Sequence, residues 1–495
     1  MNLLERLPRT DGVAIIDKQR HITFAQLDRA TAQFATELRA TGLRAGDHVL
    51  ILQPVTAELY VALLGVLRLG AVAMFLDPSA GRQHIEQCCA LQPPRALLGC
   101  RRALWLRWLS PALRRIPIYR PIRMPVATAP VDQPIEPVLP TAPALMTFTS
   151  GSTGQPKAAV RTHGFLLAQH RALAAALQLT PGATDLATLP IFVLANLASG
   201  VASLLPDADL RRPGMIDPAP VIAQIDRNKP ASTAASPAFL ERLADYCRAR
   251  EIRLTSFQKI FTGGAPVFPL LLDKLHDIAP EAEIIAVYGS TEAEPMAHIA
   301  LHEISDADRQ AMQTGRGLLA GKPVSSLELR VLPDEWGKPK NTATPLPANE
   351  PGEIVVTGEH VLPGYLHGLG DSETKFEAAG HRWHRTGDAG YMDEQGRLWL
   401  LGRCAAKVVD ERGTLYPFAV ECAAQPWRTA FVNHNGQRVL AVEPGTPADL
   451  SNRLLWAQID EVYTIRRIPM DKRHNAKVDY PALRQLLETC RRSAK

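Results

Sequence analysis

The stretch "HITFAQLDRATAQFATELRATGLRAGDHVLILQP" sets the pattern of the chain. A short extended piece leads into apolar residues that recur at helical spacing from Phe24 to Leu43. Gly46 and Asp47 then turn the chain into the apolar strand "HVLILQP". The same alternation returns in "PVIAQIDRNKPASTAASPAFLERLADYCRAREIRLTSFQKIFTGGAP". Strands alternating with helices predict an α/β fold of mostly parallel sheets, covered by helices on both faces. The longest apolar run, "LYVALLGVLRLGAVAMFLDP" from Leu59, contains Gly65, Arg68 and Gly70. Those breaks predict a buried helix followed by a strand, and not a membrane span.

The texture changes after residue 340. "GEIVVTGEHVLPGYL" and "GRLWLLGRCAAKVV" read as short strands joined by glycine turns, a small β-barrel-like segment that closes the large domain. A chain of 495 residues exceeds one ordinary core. We therefore expect a large N-terminal domain over 1–403 and a small α+β domain over 404–495, ending in the helix "YPALRQLLETCRR".

Composition narrows the class further. A net charge of +5 is mild for this length and argues against a nucleic-acid partner. Seven cysteines, an odd count without CxxC spacing, read as reduced thiols. "MNLLERLPRTDG" lacks the apolar core of a signal peptide, so a cytoplasmic setting is expected. One segment stands apart: Arg101 to Arg123 has seven arginines, two tryptophans and no acid. It could make peripheral membrane contact through anionic lipid. The plainer expectation, carried forward, is a solvated helical face with its tryptophans packed inward.

The candidate chemistry begins at "FTSGSTGQPKAAVRTHG", Phe148 to Gly164. It follows the β-rich "ALMTFT" and precedes the helical "FLLAQHRALAAAL". Strand, glycine-hydroxyl loop and helix form a geometry in which backbone N–H groups and hydroxyls surround phosphate. Gly151 and Gly154 allow close backbone approach, Ser150, Ser152 and Thr153 offer donors, and Lys157 a movable positive charge. It is not a Walker A loop, because Pro156 stands between Gly154-Gln155 and Lys157.

Further motifs follow in order: "FTGGAPVF", "AVYGSTEAEP", "GRGLLAGKPV", "GEIVVTGEHVLPGYL", "HRTGDAGYMDEQGRLWLLGR" and "IPMDKRHNAKVDYPAL". With the opening loop, this series resembles the adenylate-forming superfamily of acyl-CoA and aryl-CoA ligases, nonribosomal adenylation domains and firefly luciferase. The resemblance implies an enzyme that joins a carboxylate to the α-phosphate of ATP and releases pyrophosphate, with ATP and Mg²⁺ required. Lys477, Thr291 and Glu292 would be catalytic, and Glu292 with Thr153 would serve the metal. Thr149, Ser150, Gly151, Ser152, Thr153, Gly154 and Lys157 would hold phosphates. Gly263, Gly264, Ala265, Pro266, Tyr288, Gly289 and Ser290 would line the adenine side, and Asp388 with Arg403 the ribose. Taken singly, Asp388 reads as a turn former, Glu292 as a capping or solvated carboxylate and Lys477 as a surface lysine. Their order together favours the functional reading.

The apolar "LATLPIFVLANLASGVASLLP" suits an alkyl or acyl substrate, with Phe192, Val193 and Asn196 as pocket candidates. A Pro-x-Phe-His signature is frequent here in acyl-CoA ligases, and Val193 replaces its histidine. The first expectation is transfer of a fatty acyl or β-hydroxy fatty acyl group to a thiol, of CoA or of a carrier protein, with pathway enzymes as further partners. One departure bears on it: the hinge position after Gly402-Arg403 falls on Ala405, where the family usually has Asp or Lys. "RHNAKV", "LPIFVLANLASGVASLLPDADL" and "GRLWLLGRCAAKVVDERGTLYP" look similar to the β-lactone synthetases of long-chain olefin biosynthesis, in which the substrate's own hydroxyl attacks the acyl-AMP. β-Lactone closure is therefore the alternative. A non-catalytic nucleotide-binding module is the third reading.

Overall fold

The computed structural model describes residues 2–77, 80–124, 133–150, 156–445, 450–470 and 477–493. The chain forms two compact units. The first is Met1–Asp207 with Gln224–Thr233 and Glu359–Ser372; the second is Ala208–Ala223 with Ala234–Gly358 and Glu373–Lys495. The division expected at 403/404 falls inside the second unit.

In the first unit, six strands lie in the order Ile118–Pro121, Ala96–Gly99, His48–Leu52, Val72–Phe75, Pro143–Ser150 and Pro156–Thr162. The first five are parallel and the last is antiparallel to its neighbour. The helix Phe24–Ala40 starts where expected, because Thr23 and Gln26 form a reciprocal capping box. The helix Ala57–Arg68 and the strand Val72–Phe75 take up the long apolar run. Arg68 is tolerated inside because its guanidinium meets Asp28 and donates to the Gln133 carbonyl at 2.7 Å.

In the second unit, strands run in the order Glu328–Leu332, Gly352–Thr357, His381–Met392, Leu398–Arg403, Leu318–Pro323, Ala293–Ala300, Glu283–Ser290 and Lys259–Gly263. Only the last pair is parallel. One ion pair is sealed among them. Arg385, 2 % exposed, sends Nε and Nη2 to the Glu353 carboxylate at 3.0 and 2.7 Å, with Glu353 wholly buried. Nη1 also donates to the Lys338 carbonyl at 2.6 Å, so both partners are satisfied.

Residues 404–495 carry the strands Thr429–His434, Gln437–Val442 and Glu461–Thr464, and the helices Pro417–Ala423 and Tyr480–Ser493. Alternation sorts this small sheet: Ala430, Val432, Val439 and Ala441 pack with Leu483 and Leu487, while Phe431, Leu440 and Val442 pack with Val420 and Ala423. Polar and aromatic contacts tie this segment to the rest of its unit. Asp334 takes Lys407 Nζ at 2.9 Å and accepts from the Tyr416 hydroxyl at 2.8 Å. The Trp456 ring lies against Gly315 (φ +93°), where a Cβ would come within 2.7 Å of Cζ2.

One expectation is overturned here. The tryptophans of the arginine-rich segment do not pack inward: Trp105 is 74 % and Trp108 66 % exposed, and Leu109 is 66 % exposed. The segment breaks into short pieces, Arg101–Trp105, Leu106–Trp108 and Pro111–Arg114, followed by the strand Ile118–Pro121. Leu104, Leu106, Leu113 and Ile116 supply its inward packing instead.

Candidate active site

The parallel strands Lys259–Gly263 and Glu283–Ser290 pair so that Gly263 stands opposite Val287. A Cβ on Gly263 would come within 2.5 Å of the Val287 carbonyl oxygen, so only glycine permits this approach. Gly264 follows at φ +84° with nothing within 4 Å of where its Cβ would be, and it borders open space. That space is a cavity of about 500 Å³, lined by Gly264, Ala265 and Pro266 and by Tyr288, Gly289 and Ser290.

Asp388 enters the same cavity from the strand His381–Met392, directly across from Arg403 on Leu398–Arg403. Its carboxylate accepts from the Tyr288 hydroxyl at 2.8 Å and sits 3.2 Å from Arg403 Nη1. Its N–H donates to Thr386 Oγ1 at 3.0 Å. Burial, and then the charge of Asp388, push the Tyr288 phenol well above its ordinary range. Asp388 likewise holds Arg403 protonated beyond its ordinary range, and Glu292 adds to that field. Tyr288 thus positions Asp388 through its hydroxyl, in addition to the adenine-side place expected of it.

The 404–495 segment supplies the rest of the wall: Phe418, Glu421, Arg428, Lys477 and Tyr480. Phe418 meets Phe268 edge to face at 6.4 Å. Lys477 immediately precedes Val478, which forms an isolated antiparallel bridge with Met470. Glu421 is buried, and its Oε1 accepts from Phe431 N at 3.1 Å and the Tyr480 hydroxyl at 3.0 Å. Burial raises its carboxyl from 4.5 to about 7 despite those two bonds. No motif pointed to Glu421, but "PFAVECAA" carries a signal, a lone acid in an otherwise apolar helix.

The other candidates fall in several places. Gly263, Thr291 and Glu292 do not line the cavity; Thr291 and Glu292 form the turn after Ser290, where Glu292 N donates to Ser290 Oγ at 3.2 Å. Among the described residues no three His, Cys, Asp or Glu side chains are grouped to hold a metal. A single carboxylate such as Glu292 nevertheless suits Mg²⁺, which keeps waters and is carried largely by phosphate oxygens.

Gly151, Ser152, Thr153 and Gly154 lie outside the described residues, and for Thr149 and Ser150 the backbone pairing alone is described. The expected strand–loop–helix order is corrected. The strand Pro156–Thr162 follows the loop and pairs antiparallel with Pro143–Ser150, and the helix begins only at His163. "PKAAVRT" alternates inward Pro156 and Ala158 with Lys157, a period-2 strand pattern, and this strand separates residues 151–155 from the helix along the chain. Lys157, in the first unit, extends beside Gly370 (φ +97°), with Nζ 5.9 Å from the Tyr365 ring centre.

The acyl-pocket candidates lie in the first unit. Phe192, Val193 and Asn196 sit on the helix Pro190–Ala198, all buried. Val193 belongs to the apolar core of the first unit. Asn196 donates to Asp185 at 2.9 Å and to Ser203 Oγ at 3.1 Å, and Ser232 Oγ donates to the other Asp185 oxygen at 2.7 Å. That polar knot satisfies a fully buried carboxyl and gives Asn196 a structural task.

A family profile described as AMP-binding enzyme matches residues 5–366. The olefin beta-lactone synthetases of Stenotrophomonas maltophilia and Xanthomonas campestris pv. campestris are 29% and 30% identical to this chain, over 94% of it and 91% of each relative. Among solved structures, O-succinylbenzoate coenzyme A synthetase (MenE) from Bacillus subtilis, in complex with ATP and magnesium ion, has the same fold. Its TM-score is 0.78 at 21% identity, over 97% of this chain and 99% of that one.

Proposed function

We propose, since this chain belongs to the AMP-binding enzyme family, that its cavity takes ATP and a β-hydroxy fatty acid, joins them as acyl-AMP, and closes that adenylate to a β-lactone. The protein is an adenylate-forming enzyme. The observation that carries the reading is a single cavity bordered at once by the Gly264 turn, Asp388, Arg403 and Lys477.

In the first step a carboxylate oxygen attacks the α-phosphorus, and the bond to the β-phosphate oxygen breaks to release pyrophosphate. Two anions must meet, so neutralising and orienting them lowers the barrier most. Asp388, fixed by Tyr288 and Arg403, accepts from the ribose hydroxyls. The open backbone at Gly264 leaves room for the base. Lys477 supplies positive charge where it builds on the α-phosphate and the attacking carboxylate. Glu292 and Thr153 would hold Mg²⁺, which would supply charge withdrawal from the phosphate oxygens. In the second step the substrate's hydroxyl oxygen attacks the acyl carbon, loses its proton, and AMP departs.

β-Lactone closure is preferred over the thiol transfer first expected because the two relatives named above match almost the whole chain. Ala405 at the hinge position supports the same choice. We also propose that 404–495 is a mobile domain carrying Lys477, with the boundary at 403/404. Six thiols, Cys88, Cys89, Cys100, Cys247, Cys404 and Cys422, are free, in keeping with a reducing cytoplasmic setting.

The test incubates the pure protein with ATP, Mg²⁺ and a long-chain acid or its β-hydroxy analogue, with and without CoA. β-Lactone and AMP in the absence of CoA are expected. AMP release that requires CoA or a carrier-protein thiol would reinstate thiol transfer, and no pyrophosphate exchange with any acid would leave a non-catalytic nucleotide binder.

A further inference from the structure

We infer that the segment from Arg101 to Arg123 is a docking surface for an anionic phospholipid bilayer. Two independent features meet on it. The first is apolar: Trp105, Trp108 and Leu109 follow at spacings of three and four residues and project into solvent, with Tyr119 beside them at 46 % exposure. These side chains are not needed for packing, which Leu104, Leu106, Leu113 and Ile116 supply from the other side. A soluble surface gains nothing from two exposed indoles, whereas indole is the side chain best suited to the boundary between headgroup and acyl chain.

The second feature is charge. Arg101, Arg102, Arg114, Arg115, Arg120 and Arg123 are exposed around the apolar ridge. Among the described residues none of them has an acidic partner, and the segment contains no acid. Arg107 is laid over the Tyr119 ring at 3.7 Å and near Trp108 at 5.2 Å, which braces the aromatic ridge while leaving its positive charge unneutralised. Aromatic and aliphatic groups that insert, ringed by cations without counter-ions, complement a negatively charged bilayer surface. A polyanion without an apolar layer would use the arginines and leave Leu109 idle.

The test mixes the full-length protein with vesicles of phosphatidylcholine alone or with one third phosphatidylglycerol, and reads co-sedimentation and tryptophan emission. Pelleting with the anionic vesicles and a blue shift are expected, with quenching by brominated acyl chains. Arg101→Gln, Arg102→Gln, Arg115→Gln and Arg120→Gln together should weaken partitioning by roughly five-hundredfold, at roughly fivefold per arginine. Trp105→Ala, Trp108→Ala and Leu109→Ala together should weaken it on the order of tenfold or more. Should a variant fail to fold, brominated-lipid quenching of the wild type decides alone. Equal recovery in the supernatant with both vesicles overturns the inference. So does unchanged pelleting of both variants, or concentration-dependent self-association that the tryptophan substitutions abolish.

Discussion

In the second unit the buried Arg385 is met by the Glu353 carboxylate at 2.7 Å. In the first unit the exposed arginines between 101 and 123 meet no acid among the described residues. The same side chain serves opposite ends. A buried guanidinium must be matched atom by atom, because desolvating it costs more than loose attraction returns. An exposed one keeps its water and its field, and remains available to whatever arrives. At Arg385 the pairing serves the architecture, whereas the arginines between 101 and 123 leave their charge on the surface.

The largest effect is expected at Arg385. Arg385→Ala leaves Glu353 buried with Lys340 Nζ, 3.8 Å away, as its remaining cation. A loss of about 3–5 kcal/mol in denaturant-melt stability is expected. A loss below 1 kcal/mol would mean that matching matters little here.

Lys477→Ala tests a cation assigned to chemistry and not to folding. Pyrophosphate exchange should fall by about 10²–10³-fold while the Kd for ATP changes only a few-fold and the melting temperature stays put. Near-normal exchange would remove Lys477 from its role.

Glu421 gives the acidic side of the contrast, since it is a buried carboxyl whose hydrogen-bond partners, Phe431 N and the Tyr480 hydroxyl, are both neutral. Its carboxyl is raised from 4.5 to about 7 in the folded protein. Below pH 4.5 both states hold the proton and nothing is lost. Between 4.5 and 7 only the folded state holds it, so stability falls as pH rises, reaching a penalty of about 3 kcal/mol above 7. Melting temperature should decline over that interval in the wild type and become nearly flat in Glu421→Gln. Parallel curves would refute the assignment.

The smallest effect is expected at the arginine-rich surface. Trp105→Ser with Trp108→Ser should leave stability within about 0.5 kcal/mol by thermal melt, since neither ring is packed. A large loss would return these tryptophans to the interior.

Much of this was legible in the sequence. Strand and helix alternation announced itself through apolar period, and Gly263-Gly264, Tyr288, Asp388, Arg403 and Lys477 were found as motif residues before the cavity joined most of them. What escaped did so for physical reasons. "PKAAVRT" alternates around small alanines and charges, which reads as loop until its antiparallel partner is known. In "RRALWLRW" apolar residues occur on every side, so period alone gives no direction to the tryptophans. Glu421 belongs to no motif, and its unusual proton affinity arises wholly from tertiary burial.

The seat of Trp456 on Gly315 has a kinetic implication. An indole resting on bare backbone has a single well-defined berth, so any swing of the tail during turnover begins with its departure and ends with its return. In the movement proposed for 404–495, the emission of Trp456 would report each departure and return. A methyl at position 315 would jam the berth and shift the resting balance toward the undocked arrangement.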